Sequence, residues 1–107
     1  MNLDVKKDLV SNWFKTLQNS ICHSIDDLEE KKIRFRSTAW KRSNKKDEGG
    51  GEYRILKNGR VFDKVGVNFS KVYGKFPKQF QKNIPGASKN PRFWASEIGR
   101  ASCRERV

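Results

Sequence analysis

The stretch GGGEYRILKNGRVFDKVGVNFSKVYG, residues 49–74, decides how this chain folds. Residues 52–57 and 60–65 are short runs rich in β-branched and aromatic side chains, and Asn58-Gly59 stands between them. That dipeptide is a strong short-range hairpin signal, because a type I′ turn requires positive φ at both central positions. Residues 67–74 then alternate, with Val67, Phe69, Lys71 and Tyr73 on one side and Asn68, Ser70 and Val72 on the other. A two-residue period places alternate side chains on opposite faces of a sheet. The stretch predicts a hairpin followed by a third antiparallel strand.

Working outward, residues 41–51 combine Ser43, Asn44, four charged side chains between Lys45 and Glu48, and Gly49, Gly50 and Gly51. This composition predicts a loop. Before it, residues 33–40 alternate Ile33, Phe35, Ser37 and Ala39 with Arg34, Arg36, Thr38 and Trp40, a strand with one basic face. Residues 3–32 are different. Leu9, Val10, Trp13, Phe14, Leu17, Ile21, Ile25 and Leu28 recur at helical spacing and predict one amphipathic helix with an apolar stripe. Asn2 or Asp4 can cap its start, whereas Asp26, Asp27, Glu29 and Glu30 oppose the dipole at its end and predict fraying beyond Leu28. On the other side, Phe76-Pro77 opens a short helical turn to about residue 82, residues 84–91 read as loop, and a further strand starts at Arg92 and stops at Ser96. One long helix followed by antiparallel strands makes the class α+β.

The chain has 107 residues, with 24 Lys or Arg against 12 Asp or Glu, a net charge of +12, 35% hydrophobic residues and a mean hydropathy of -0.89. This length suits one domain with a small core. The basicity is regional: residues 1–30 sum to -3, and residues 31–96 to +14. Such asymmetry points to an anionic partner, whether nucleic acid, a lipid surface or a polycarboxylate. No apolar run is long enough to cross a bilayer and no signal peptide is legible, so the expected compartment is the cytoplasm. Cys22 and Cys103 match neither a metal nor a redox spacing. Cys22 reads as a small core residue, and His23 as a solvated or packed histidine rather than a catalytic one.

Residues 97–107, EIGRASCRERV, look like a translated sequencing adapter, since the codons GAG-ATC-GGA-AGA-GC for Glu97 to Ala101 contain the adapter's opening bases. They are expected to be a non-native tail and are set apart from the domain of residues 1–96.

No nucleophilic triad, carboxylate pair, zinc cluster or phosphate loop is present in the sequence. The run Gly49-Gly50-Gly51 lacks the Lys-Ser/Thr that a phosphate loop needs. Basic residues interleaved with Phe35, Trp40, Tyr53, Phe62 and Tyr73 leave open a small nucleic-acid-binding module on the 33–40 and 67–73 strands.

The series Trp40-x-Arg42, Gly49-Gly50-Gly51, Arg54-Ile55-Leu56, Asn58-Gly59, Val61-Phe62, Gly66-Val67-Asn68-Phe69-Ser70, Val72 and Gly74 resembles the N-terminal part of oxygen-dependent coproporphyrinogen-III oxidases. The helix with Trp13, Leu17, Ile21 and Cys22, then Ile84-Pro85-Gly86 and Phe93-Trp94-Ala95-Ser96, extend the resemblance over residues 5–96. It implies a fragment of a large antiparallel sheet flanked by helices, assembled as a homodimer. It also implies the oxidative decarboxylation of coproporphyrinogen III to protoporphyrinogen IX in haem biosynthesis, with dioxygen as co-substrate and no organic cofactor. The family's His-containing segment and Asn-x-Arg motif fall beyond Ser96, so the resemblance places no catalytic residue and no metal ligand here and implies an inactive fragment. It implies dimer contacts for Val67, Asn68, Phe69, Ser70, Lys71, Val72, Tyr73, Gly74, Lys75 and Phe76. It further suggests Gly49, Gly50, Gly51, Arg54 and Asn68 as contributors to a substrate cavity.

Overall fold

The computed structural model describes residues 2–29, 34–42 and 48–103. One long helix, α1 (Leu3–Glu29), lies against one face of a sheet built from β1 (Arg36–Lys41), β2 (Glu48–Lys57), β3 (Lys64–Lys75) and β4 (Arg92–Ser102), with a short α2 (Lys78–Gln81) between the last two strands. The sheet order is β1-β2-β3-β4 and every neighbouring pair is antiparallel. This is the α+β arrangement that the alternating and helical periods predict.

The hydrophobic core is narrow. Leu56 of β2 and Val65 of β3 face each other in the register, and with Val67 they meet Cys22 and Ile25 of α1, with Ile21, Phe35, Phe62 and Ile98 packed around them. Asn2 caps α1, its Oδ1 accepting the Val5 N–H at 2.9 Å. The stripe that α1 buries is rotated from the one its apolar residues trace: Ser11, Gln18, Cys22, Ile25 and Glu29 are buried, whereas Leu9, Val10, Trp13 and Leu28 are exposed. At 3.6 residues per turn, those four lie roughly a quarter-turn or more from the line through residues 11, 18 and 25. Polar side chains hold the centre of the interface because the sheet offers them partners.

Four sequence expectations change in the structure. Residues 48–51 are strand, not loop, and residues 43–47 of that expected loop lie outside the described residues. The glycines are required there by close packing: a Cβ on Gly51 would stand 2.1 Å from the Phe69 carbonyl oxygen and 2.9 Å from Cζ2 of Trp40, and Gly49 takes a φ of 108°.

The β2–β3 connection is not a two-residue turn, since β2 ends at Lys57 and β3 starts at Lys64, with the Asn58 N–H donating to the Asp63 carbonyl at 2.8 Å. Of the predicted turn pair only Asn58 has a positive φ, 59°. The cause lies in α1. Fully buried Glu29 accepts hydrogen bonds from the N–H groups of Val61 and Phe62, both at 2.9 Å, and holds the connection open. Gly59 is needed for that approach, because a Cβ would come within 2.4 Å of Glu29 Oε2. The acidic residue expected to fray the helix end therefore anchors it, and residues 30–33, the rest of the expected end, lie outside the described residues.

The strand from Arg92 does not stop at Ser96 but pairs with β3 through Ser102. Ladder hydrogen bonds use backbone groups, so the free edge of β3 accepts this segment with little regard to its side chains. Ile98, opposite Phe69, packs against the core, while Glu97, Gly99, Arg100, Ala101 and Ser102 stay exposed. Elsewhere the expectations match: Pro77 opens α2 as its N-cap, and residues 84–91 are loop, with turns over 85–89. Among the described residues no helix is long and apolar enough to cross a membrane.

Candidate functional site

The register divides the candidate residues between two faces. Leu56 and Val67 point at α1, so Arg54 and Gly50 share that covered face, while Gly49, Gly51 and Asn68 lie on the open one. The five candidate cavity residues are therefore divided: the backbone of Gly49, Gly50 and Gly51 lines one cleft of about 450 Å³ with Lys15, Ser37 and Glu52, whereas neither Arg54 nor Asn68 lines it. Trp40 belongs with the open-face group, since Gly51 is its direct partner in β1–β2 and its indole lies over that glycine.

Arg54 is engaged beneath α1, where its Nε and Nη2 donate to Glu52 at 3.0 and 3.3 Å. Lys15 Nζ and Ser37 Oγ donate to the same carboxylate. Gln18, with none of its surface exposed, donates from Nε2 to the carbonyls of Glu52 at 2.9 Å and Val67 at 3.1 Å. This network pins the middle of α1 to β2 and β3. Burial and the nearby Arg54 charge push the Lys15 ammonium below its ordinary value, and burial pushes the Cys22 thiol up. A raised thiol is a weaker nucleophile at neutral pH. Sequence reading missed Lys15, Gln18, Glu29 and Glu52, although Ser11, Lys15, Gln18, Cys22, Ile25 and Glu29 follow an alternating four-and-three spacing that marks one face of a helix.

Two further clefts flank this network. A larger one, about 1070 Å³, opens between the start of α1 and β3–β4, with Lys7, Lys71, Lys75 and Arg92 set against Asp4 and Asp8. Lys7 Nζ sits 5.8 Å from the centre of the Trp94 ring in its wall. The other, about 590 Å³, lies on the open face of β1–β2. Neither contains a catalytic pair. His23 lies on the outer surface of α1, 3.5 Å from Asp27, and among the described residues no group of three or more His, Cys, Asp or Glu could hold a metal ion.

The residues expected to form dimer contacts, 67–76, fall almost entirely on β3, an interior strand paired to β2 on one side and β4 on the other. Its backbone edges are thus occupied. Asn68, Ser70 and Val72 project from the open face, and Phe76 packs on Phe93 with ring centres 4.9 Å apart.

Residues 9–101 match the family model described as coproporphyrinogen III oxidase. Among curated proteins, the oxygen-dependent coproporphyrinogen-III oxidase of Rickettsia felis is 38% identical over 100 residues, covering 86% of this chain and 34% of the relative. That of Rickettsia africae is 36% identical over 106 residues, covering 92% and 36%. The chain spans about a third of the length of these relatives. A match from the second turn of α1 to the penultimate residue of β4 covers every element that builds the sheet, and on it the chain belongs to the coproporphyrinogen III oxidase family.

Proposed function

We propose that residues 1–96 are the amino-terminal third of an oxygen-dependent coproporphyrinogen-III oxidase and that residues 97–107 are not native to it. In the whole enzyme, two propionate side chains of coproporphyrinogen III become vinyl groups. Each loses carbon dioxide, one hydrogen of the carbon next to the ring as a proton, and two electrons, and dioxygen accepts the electrons together with protons, without an organic cofactor. The present residues supply a scaffold: α1, the sheet it covers, and an open face available to the remainder of the protein and to a second subunit. Gly49, Gly50 and Gly51, which line one cleft with Lys15, Ser37 and Glu52, are the candidates for a cavity wall, and Asn68 is a candidate on the open face. Arg54 is committed to Glu52, which makes it a positioning residue. The reading also places the enzyme in the cytoplasm as a homodimer whose β3 contributes through Asn68, Ser70 and Val72.

The family match carries the enzyme assignment; it runs from residue 9 to residue 101, past Ser96, so the tail reading rests on the adapter-like codons of Glu97 to Ala101. The sparing use of side chains from 97–102 in the β4 pairing supports a tail that the sheet tolerates without needing it. The test is to sequence genomic DNA through the Ser96 codon, express the frame found there, and incubate it with coproporphyrinogen III in air and under argon. Release of two carbon dioxide molecules per porphyrinogen, lost under argon, is expected of the full frame and not of the 107-residue chain. A genomic stop codon after Val107, or a full frame that releases no carbon dioxide, overturns the proposal.

A further inference from the structure

The helix α1 carries a second seam that the sheet does not use. Leu3, Val10, Leu17 and Ser24 recur every seven residues, and Lys6, Trp13, Ser20 and Asp27 recur every seven between them. The resulting alternation of three and four is the repeat by which one helix packs along another, and here it runs for about three and a half heptads, or about 36 Å. The seam lies about a third of a turn from the buried line of Ser11, Gln18 and Ile25, on the side of α1 away from the sheet. Leu3, Val10 and Trp13 are 64%, 40% and 58% exposed, Lys6, Ser20, Ser24 and Asp27 are exposed, and Leu17 is half-buried. The two halves of the seam differ. The first holds large side chains and a cation, Lys6, whereas the second, beyond Leu17, holds two serines and an acid, Asp27, which lies 3.5 Å from His23. Such a surface is complementary to itself turned end for end. A twofold axis level with residue 15 sets Trp13 on the partner's Leu17, Val10 on the partner's Ser20, and Lys6 one layer from the partner's Asp27. Asp26 and Asp27, which oppose the dipole of their own helix, then lie beside the positive end of the other. Asp4 and Asp8 stand more than a quarter-turn from the seam.

We infer that α1 pairs antiparallel with the same helix of a second copy of this chain, covering Leu3, Val10, Trp13 and Leu17. The two helices form the inner layers of the pair and the two sheets the outer ones, so each open sheet face stays accessible. The contact is separate from the open face of β3, where the oxidase reading puts its subunit contact, and it stands whether or not that reading does. Self-complementarity is what selects a second copy as the occupant. A bilayer surface gains from Trp13 and Lys6 but nothing from Asp27, and a helix from elsewhere in a longer chain needs no match between the two halves of this one.

The test is sedimentation equilibrium of the 107-residue chain over a concentration series at low salt. The parent is expected to reach the mass of a dimer, and Val10→Glu/Trp13→Glu to stay monomeric. Lys6→Glu is expected to weaken the dimer about three- to tenfold, and adding Asp27→Lys to the same chain to restore most of that loss. Ser70→Lys on the open face is expected to leave the dimer intact. A parent larger than a dimer is read the same way, since the α1 double variant must then at least halve its mass. Circular dichroism and thermal melts of each variant separate lost pairing from lost folding; where Val10→Glu/Trp13→Glu does not melt cooperatively, Trp13→Ser and the Lys6→Glu/Asp27→Lys exchange carry the test at exposed positions. A monomeric parent overturns the proposal, as does a dimer that survives the Trp13 variants or an exchange that fares no better than Lys6→Glu alone. Loss of the dimer with Ser70→Lys but not with the α1 variants moves the contact to the open face and overturns it too. So does a monomer that binds phosphatidylglycerol vesicles through Trp13, which would make this a lipid-binding face.

Discussion

The two faces of this one sheet solve different problems. Under α1, the sheet presents Leu56, Val65 and Val67 to Cys22 and Ile25, and surrounds that core with paired polar groups: Gln18 on two carbonyls, Glu52 among three donors, Glu29 on two N–H groups. On the open side, Gly51 passes close to the Trp40 indole and the Phe69 carbonyl, and three cations share a cleft that no acid among the described residues lines. Stability is concentrated where water is excluded, because apolar burial and fully partnered buried hydrogen bonds both depend on that exclusion. The open face carries groups that gain from a partner outside the described residues. The difference teaches that charge in this chain has to be read by face, since the same sheet ties down its acids on one side and leaves its cations on the other.

The largest expected effect breaks the contrast at adjacent residues of β2. Leu56→Ala on the covered face should cost about 3 kcal/mol by cavity formation, measured by urea denaturation. Ile55→Ala, half-buried on the open face, should cost about 1 kcal/mol. Equal losses would mean that α1 does not set the difference between the faces.

Gly51→Ala should come next, at about 2–3 kcal/mol, because the added methyl meets the Phe69 carbonyl and the Trp40 indole. Trp40→Ala in the same chain should relieve only the indole part of that clash, and thermal melts of the double variant would show how much of the cost is backbone. A comparable loss of about 2 kcal/mol is expected for Glu29→Ala, which leaves two N–H groups of the β2–β3 connection without their partner. Gly59→Ala should couple to it, since the methyl would collide with that carboxylate. Additive losses in the double variant would separate the two.

Glu29 also sets a pH dependence. Burial alone would push its carboxyl up, but the N–H groups of Val61, Phe62 and Arg60, together with the Arg60 charge, outweigh it and hold the group below its ordinary 4.5. A folded value below the unfolded one stabilises the fold fully at neutral pH, and that stabilisation is lost as pH falls below the ordinary carboxylate range and through the folded value. Melting temperatures across this acid range should fall less steeply for Glu29→Gln than for the parent. The smallest effect is expected at the open cleft, where Arg36→Gln should change stability by less than about 0.5 kcal/mol. A gain in stability there would sharpen the comparison by showing that the clustered cations strain the unliganded sheet.

Much of this was legible in the residues themselves. The 3.6-residue period of α1 and the alternation of residues 67–74 are local properties, because backbone geometry fixes where successive side chains point. The basic face of residues 33–40 was equally legible, and Arg34 and Arg36 do line one cleft. The Asn58-Gly59 pair correctly marked a connection between antiparallel strands. It misled on the turn type, since the reason for Gly59 is a carboxylate from a residue thirty positions earlier. The glycine run reads as loop for the same kind of reason: its neighbours, Trp40 and Phe69, come from other strands.

The sequence alone determined the α+β class, the order of the elements and the family, because period, turn residues and motif spacing are written along the chain. Only the tertiary structure decided that polar Gln18 and Glu29 belong under α1 while Trp13 stays outside, that Arg54 and Asn68 look in opposite directions, and that β4 runs on to Ser102. Each of these depends on which backbone donors and acceptors another element presents, and hydrogen bonding between segments distant in sequence leaves no periodic trace in either one.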